Sequence, residues 1–475
     1  MSIGIVERQI EPILPKNQGG SASQRNSRPR FISSLFAIAS GQLGCVAVAA
    51  LAELSFARLL GPAPRGLISL SLMSIAFGSL IGSLGSEATI VVWISGSKGS
   101  HSNWFPAVML WVLSGCLLSS ALWSATYWKW HPAFLKGLTP TLAFLVLGTI
   151  PVSVFFSILM ALLVGEERFR LRAMIALVNR VCSLMVFLTC VLLVGRRADA
   201  AILGELTGLT VGSCIAFVFL RHFFRDAWKL REARQSLVPT IIFGMRGQAG
   251  NLASFFSYRL DIFVVNYFLD ASQVGLYALG VLISEVLWQL PGVVSTALGP
   301  RTARTVGVGA ESFTCMVLRQ VFVVTMVAGL AIAAVSPFAI PLIFGARYVP
   351  SVPVIWWILP GTIALSLGKV ICADLTGRGL NIHSSISAVI GLMFTFVLDW
   401  FLIPRMGIQG AALASSVAYL AAGLYLIIVI QRELKVSWRT LLLPSWAELT
   451  AYGRLWLLLR ARFWPGGASS AGCPK

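Results

Sequence analysis

The stretch Leu138-Thr-Pro-Thr-Leu-Ala-Phe-Leu-Val-Leu-Gly-Thr-Ile-Pro-Val-Ser-Val-Phe-Phe-Ser-Ile-Leu-Met-Ala-Leu-Leu-Val164 contains no charged residue. As a helix rising about 1.5 Å per residue, it is longer than the roughly 30 Å hydrocarbon core of a bilayer. Eleven more stretches of this character surround it, at 31–53, 66–94, 105–126, 173–195, 199–220, 244–268, 274–299, 315–337, 352–374, 383–404 and 408–431. The chain is 57% hydrophobic and 12% charged, with a mean hydropathy of +0.83. A soluble core cannot hide that much apolar surface, so lipid must be the solvent. The predicted fold is an all-α integral membrane protein with about 12 transmembrane helices.

The formal charge of +19 raises the question of nucleic acid, and placement answers it. With the N-terminus inside, Lys and Arg fall on the inner side about three times as often as on the outer side. That bias is a topology signal, with some contact to anionic lipid. It predicts both termini in the cytoplasm and no nucleic-acid partner. The eight cysteines form no CxxC pair and accompany no His cluster, so they read as small apolar packing residues. No hydrophobic segment precedes the first full-length span, so no cleavable signal is expected.

Residues 1–30 lack any apolar period and read as a disordered cytoplasmic tail. Residues 31–220 and 244–431 form two sets of six spans, divided by a basic cytoplasmic linker at 221–243. Residues 432–475 mix Trp438, Trp446 and Trp464 with Arg439, Arg454, Arg460 and Arg462, as an interfacial amphipathic segment does. A thirteenth span is the weaker alternative there.

The two sets resemble each other. Leu60-Gly-Pro-Ala-Pro-Arg-Gly-Leu67 lines up with Leu269-Asp-Ala-Ser-Gln-Val-Gly-Leu276, and Ala161-Leu-Leu-Val-Gly165 with Ala373-Asp-Leu-Thr-Gly377. A duplicated unit with an even number of spans keeps both copies in one orientation. Its pseudo-two-fold axis therefore runs along the membrane normal, and two six-helix lobes can rock about a central cavity. Pro151, Pro291 and Pro360 interrupt backbone bonding inside spans, and Gly78-x-x-x-Gly82 permits close helix approach.

An ionisable side chain near the middle of a span costs about 3 kcal/mol on insertion scales, so it faces protein or water. Glu87, Arg180, Arg246, Arg259, Asp261, Glu285 and Lys369 stand in such positions. Glu53, Glu205, Asp374 and Asp399 lie nearer span ends, within reach of interfacial water. Arg259, Arg246, Arg180 and Lys369 are candidates to hold phosphate or diphosphate, since a guanidinium fork grips oxygens in pairs. Asp261, Glu285 and Glu87 are candidates to balance that charge or couple an ion. Arg259 and Asp261, two residues apart, need separate partners. Ion pairing between helices is the structural alternative for each residue.

Catalysis finds little support. There is no GxxxxGK[ST] loop, no HExxH and no DxD pair, and the four histidines are scattered. No cofactor and no metal is expected, and the chain does not read as an enzyme.

Phe56-Ala-Arg-Leu-Leu-Gly-Pro62 running on to Gly66-Leu67, then Gly85-Ser-Glu-Ala-Thr89, resembles the first two spans of polysaccharide flippases. So do Tyr258-Arg-Leu-Asp-Ile262, Val274-Gly-Leu-Tyr-Ala278 with Pro300-Arg301, and Leu402-Ile-Pro-Arg-Met-Gly-Ile-Gln-Gly-Ala-Ala-Leu413. The family is the oligosaccharide-flippase branch of the multidrug/oligosaccharidyl-lipid/polysaccharide exporter superfamily. The resemblance implies two six-helix lobes in a V and a polyprenyl-diphosphate-linked oligosaccharide as substrate. It further implies a cationic central cavity for the diphosphate. Arg259 and Asp261 lie in the matching motif, whereas Arg180, Arg246 and Lys369 rest on the charge argument. Pro62-Ala-Pro64 with Arg65 departs from the family pattern and stiffens the first outer loop.

The expected function is transfer of a lipid-linked repeat unit across a bacterial inner membrane, for exopolysaccharide, capsule or O-antigen synthesis. Its expected partners are the lipid-linked oligosaccharide, membrane lipids, and a polysaccharide polymerase with export machinery. The rivals are a cation-coupled drug exporter of the same superfamily and a non-transporting component or enzyme of glycan assembly.

Overall fold

The computed structural model describes residues 28–96, 104–193, 195, 197–225, 230–289, 291–295, 298 and 310–442. The expectations for residues 1–27 and 443–475 lie outside them. The described residues are almost wholly helical. The first half comprises α1 (Arg28–Leu60), α2 (Pro62–Ser83), α3 (Ser86–Gly96), α4 (Phe105–Phe134), α5 (Pro140–Gly165), α6 (Phe169–Leu193) and α7 (Asp199–Arg225). The second comprises α8 (Leu230–Phe268), α9 (Ala271–Glu285), a 3₁₀ turn (Val286–Trp288), α10 (Ala310–Ile343), a second 3₁₀ turn (Ala346–Tyr348), α11 (Ser351–Gly377), α12 (Ile382–Met406), α13 (Ile408–Leu434) and the short α14 (Trp438–Leu442).

Among the described residues, ten helices are long and apolar enough to cross a membrane. The other two predicted spans fall on α1 and α8. Side chains of α1 before Gly44 lie outside the described set. The apolar part of α8 carries Arg259 and Asp261, which lower its hydropathy. Large side chains such as Leu192, Phe338, Met393 and Phe401 are exposed. Such a belt is too apolar for water and suited to lipid.

Local chemistry sets the helix boundaries. Thr139 caps α5 by accepting from the Leu142 amide at 3.3 Å, and Pro140 occupies the first turn, where a missing N–H costs nothing. Asp270 caps α9 by accepting from the Gln273 amide at 3.0 Å. Pro62 likewise opens α2, so Pro62-Ala-Pro-Arg65 is a helix start rather than the stiffened loop expected. The described residues of the basic linker are also helical, because α7 runs to Arg225 and α8 begins at Leu230. Pro360 lies inside α11, and the next amide, Gly361, donates to Ser416 Oγ of α13 at 2.9 Å. A neighbouring helix thus supplies a partner beside the break.

The halves repeat one packing scheme. In the first, α1 packs on α6, α2 on α5, α4 on α5, α5 on α7 and α6 on α7. In the second, α8 packs on α12, α9 on α11, α10 on α11, α11 on α13 and α12 on α13. The second span of each half loses regular helix part-way along. The first does so between α2 and α3, where Leu84 and Gly85 take φ of 47° and 80°. The other does so at the 3₁₀ turn Val286–Trp288.

Gly66 and Gly275, equivalent in the sequence alignment of the halves, touch each other across the interface. A Cβ on Gly66 would lie 2.9 Å from the Gly275 amide nitrogen, and one on Gly275 would lie 3.0 Å from that of Gly66. Such reciprocal contact between equivalent residues is what a two-fold axis requires.

One hydrophobic core joins the halves at the end of the bundle predicted to be outer, through residues including Phe56, Leu70, Tyr277, Tyr348 and Ile358. At the opposite end each half keeps its own core, around Leu162 and Phe223 in the first and around Val370 and Ile430 in the second. The joined end is sewn by polar contacts. Arg58 donates to the Ile343 and Leu342 carbonyls at 2.6 and 2.5 Å. Arg65 is 2% exposed, pairs with Glu53 at 2.8 Å and donates to the Gly275 carbonyl at 2.5 Å. Tyr348, in the turn before α11, donates to the Ala57 carbonyl at 3.4 Å. Burial pushes its hydroxyl up to about 12, so it stays a donor at ordinary pH. At the other end the halves meet along α8. There Gly85 and Trp111 lie against Gly244, and Gln248 donates to the Leu80 carbonyl at 2.6 Å.

Candidate functional site

Three of the predicted charges converge in the second half. Arg259 of α8 faces Glu285, the last residue of α9, with Nη1 2.7 Å from Oε1 and Nη2 donating to Oε2 at 3.1 Å. The Arg259 side chain is about a quarter exposed, so it is largely shielded from bulk solvent. Immediately after Glu285 the chain tightens into the 3₁₀ turn, which presents Trp288. Lys369 of α11 sits over that ring, its Nζ 4.1 Å from the centroid. A cation over an indole face is attracted by the ring quadrupole. Two cations and one carboxylate leave a net positive charge. An incoming diphosphate could take the Arg259 fork from Glu285 while Lys369 supplies a second contact.

Lys369 also lines a cavity of about 350 Å³ inside the second half, walled by α8, α11, α12, α13 and residues 291–295. Tyr258 and Tyr419 form one side of it. Their rings are 5.7 Å apart and edge-on, and Tyr258 lies 5.5 Å from Trp288.

Asp261 turns away from this group. It is 1% exposed and accepts from the Tyr277 hydroxyl, from Ser415 Oγ at 3.1 Å and from the Ile262 amide at 2.8 Å. Arg259 and Asp261 thus have separate partners, as their spacing requires. Asp399 is fully buried near enough to Asp261 for their charges to interact, and neither of its carboxyl oxygens makes a hydrogen bond. Placing Asp399 within reach of water was therefore wrong. The same correction holds for Asp374, which is fully buried, accepts from Thr314 at 2.8 Å and pairs with Arg378 at 2.6 Å. A position near a span end does not guarantee water when a neighbouring helix covers it.

Arg180 is not brought to Arg259. It is half-exposed on α6 and pairs with Glu205 of α7 at 3.3 Å. Glu87, exposed at the start of α3, lines a separate cavity of about 600 Å³ in the first half with Arg172. Arg246 lies on α8, but its side chain falls outside the described residues. Among the described residues no three His, Cys, Asp or Glu side chains come together as a metal site.

Sequence reasoning missed Trp288, Tyr419 and Ser415, which no charge marks out, and Tyr277 appeared only inside the stretch Val274-Gly-Leu-Tyr-Ala278. Tyr258 was visible only as a neighbour of Arg259. The one available signal was an aromatic or hydroxyl residue set beside an intramembrane charge, and many residues in this chain fit that description.

The 36% identity to the uncharacterized membrane protein YabM of Bacillus subtilis runs over 102 residues, 20% of this chain and 19% of that one. Among solved structures, the lipid II flippase MurJ in an inward closed conformation superposes with a TM-score of 0.65, at 14% identity. That match covers 90% of this chain and 98% of MurJ. An inward-facing multidrug resistance MATE family transporter of the MOP superfamily gives 0.61 at 13% identity, covering 82% and 94%. Identities this low establish the fold alone, which this chain shares with those two proteins. A family model described as polysaccharide biosynthesis protein matches residues 55–353, well over half of the chain. With two six-helix lobes about a pseudo-two-fold axis, this multi-pass membrane protein belongs to the polysaccharide biosynthesis protein family.

Proposed function

We propose that the chain carries a polyprenyl-diphosphate-linked oligosaccharide repeat unit across the bacterial inner membrane by alternating access, for exopolysaccharide, capsule or O-antigen synthesis. The observation that carries this reading is the Arg259–Glu285 pair beside Lys369, a net positive group built into apolar helices at the edge of a cavity. In the empty protein Glu285 occupies the guanidinium fork. The diphosphate replaces it, the glycan enters the protein and the prenyl tail stays in lipid. The lobes, joined by one core at the predicted outer end, then rock to release the head group outside. Pure facilitation cannot concentrate product, so a gradient or later consumption biases the cycle. Asp261 is the ion-coupling candidate, since it ties α8 to α9 and α13 through Tyr277 and Ser415. The polymerase and export machinery of the same pathway are the proposed partners. Both termini are proposed to be cytoplasmic, from the charge bias.

The test is reconstitution. Purified protein in vesicles should move a fluorescent lipid-linked sugar between leaflets, and Arg259→Ala should abolish movement at normal protein abundance. Unchanged movement in the variant removes Arg259 from the site. Glycosidic-bond formation in the same vesicles would favour an enzyme.

One observation favours the drug-exporter reading. An apolar cavity of about 330 Å³ lies between the halves, walled by Phe77, Trp123, Phe256 and Phe263. Export of a lipophilic cation with no movement of lipid-linked sugar would decide for it.

A further inference from the structure

The cavity in the second half has a chemistry that the diphosphate leaves unused. Among the described residues, Lys369 is the one charged residue on its wall, and no carboxylate lines it. The wall is instead rich in hydroxyls, among them Ser254, Ser257, Ser295 and Ser387. Three of these have already committed their protons to backbone carbonyls: Ser254 to Gly250 at 2.9 Å, Ser295 to Pro291 at 2.7 Å and Ser387 to Ala422 at 3.2 Å. A hydroxyl that has donated still has lone-pair capacity. Beside the Lys369 ammonium, these serines therefore offer mainly acceptors, which suit a ligand presenting several O–H donors. Tyr258 adds an aromatic surface, packed against Trp288 and Tyr419. Ring C–H groups of a pyranose, which carry partial positive charge, pack on the negative face of such a ring. A volume of about 350 Å³ is near the lower end for small-molecule sites. It admits a ring or two and leaves a longer glycan outside.

We propose that this cavity is a subsite for a hydroxyl-rich sugar, the one nearest the diphosphate, with Tyr258 as its stacking surface and the serines as acceptors. This rests on the translocation reading above. Lys369 belongs both to the cavity wall and to the Arg259 group, which sets the sugar beside the diphosphate. The subsite makes the second half selective for the first sugar and indifferent to sugars farther along the glycan.

The experiment uses the full-length protein in nanodiscs with free glucose, galactose and N-acetylglucosamine as probes, read by saturation-transfer NMR. At least one of them should give a saturable signal. Tyr258→Ala and Ser254→Leu, the second filling the cavity, should each cut the neutral-sugar signal at least about tenfold. The unaltered chain supplies a second readout, because Cys372 also lines the cavity. The bound sugar should slow its alkylation by N-ethylmaleimide, followed by peptide mass spectrometry. Absence of both signal and protection, or signal surviving both substitutions, would each overturn the subsite. Farnesyl diphosphate binding, measured in parallel, separates the two readings. If it binds in an Arg259-dependent way while no sugar does, the subsite fails and the translocation reading stands. If neither binds, both fail.

Discussion

Replacing Gly66 with alanine should loosen the predicted outer seam. A Cβ there would lie 1.7 Å from the Ala271 carbonyl oxygen and 2.9 Å from the Gly275 amide nitrogen. Both obstacles are backbone, so no side chain can swing aside. Restoring ordinary contact, at 3.4 Å or more, requires α2 and α9 to part by roughly 1.5–2 Å, which also breaks the Arg65 bond to the Gly275 carbonyl. Overpacking of this kind costs about 1–3 kcal/mol. Gly66 meets Ala271 only when the halves are joined, so the cost falls on the closed state. At about 2 kcal/mol the closed-to-open ratio drops about 30-fold. The assay is a Val274→Cys reporter in a chain whose own cysteines are replaced, labelled from outside with an impermeant maleimide. Val274 is 0% exposed in the closed seam, so labelling follows opening. Labelling should accelerate about 30-fold in the Gly66→Ala background. It should not change with Gly148→Ala, where a Cβ would have nothing within 4 Å. Equal rates with and without the Gly66→Ala substitution would show that something other than this contact holds the outer end shut.

Arg65→Ala should lower stability by about 1–3 kcal/mol, because the Gly275 carbonyl loses its donor and Glu53, only partly exposed, loses its counter-charge; differential scanning fluorimetry measures this. Arg259→Lys keeps the charge but loses the two-pronged grip on oxygen pairs. It should reduce lipid-linked sugar movement in vesicles by about tenfold, the loss of roughly one charge-assisted hydrogen bond. Tyr277→Phe and Ser415→Ala remove two donors to the same Asp261 oxygen. Each should cost about 1–3 kcal/mol, and a double-mutant cycle should show coupling above about 0.5 kcal/mol; strict additivity would mean that the two do not share that carboxylate.

The sequence by itself determined the solvent, the span count and the duplication. Length and apolarity are local properties, and a bilayer imposes helix on any such stretch because backbone groups have no other partner there. The duplication was legible through Gly66 and Gly275, and Arg259 and Glu285 were legible as charges in costly positions. Tertiary structure alone decided who pairs with whom. Glu285 faces Arg259 rather than Arg180, Asp261 turns to Tyr277, and Asp399 is sealed although it stands near a span end. The same holds for the cavity of Tyr258, Tyr419 and the serines, since aromatic and hydroxyl residues occur throughout the spans and carry no periodic mark. Partner choice depends on helix rotation and on which helices pack together. These are set by the sum of many weak side-chain contacts between segments far apart in the chain, and no single stretch of residues encodes that sum.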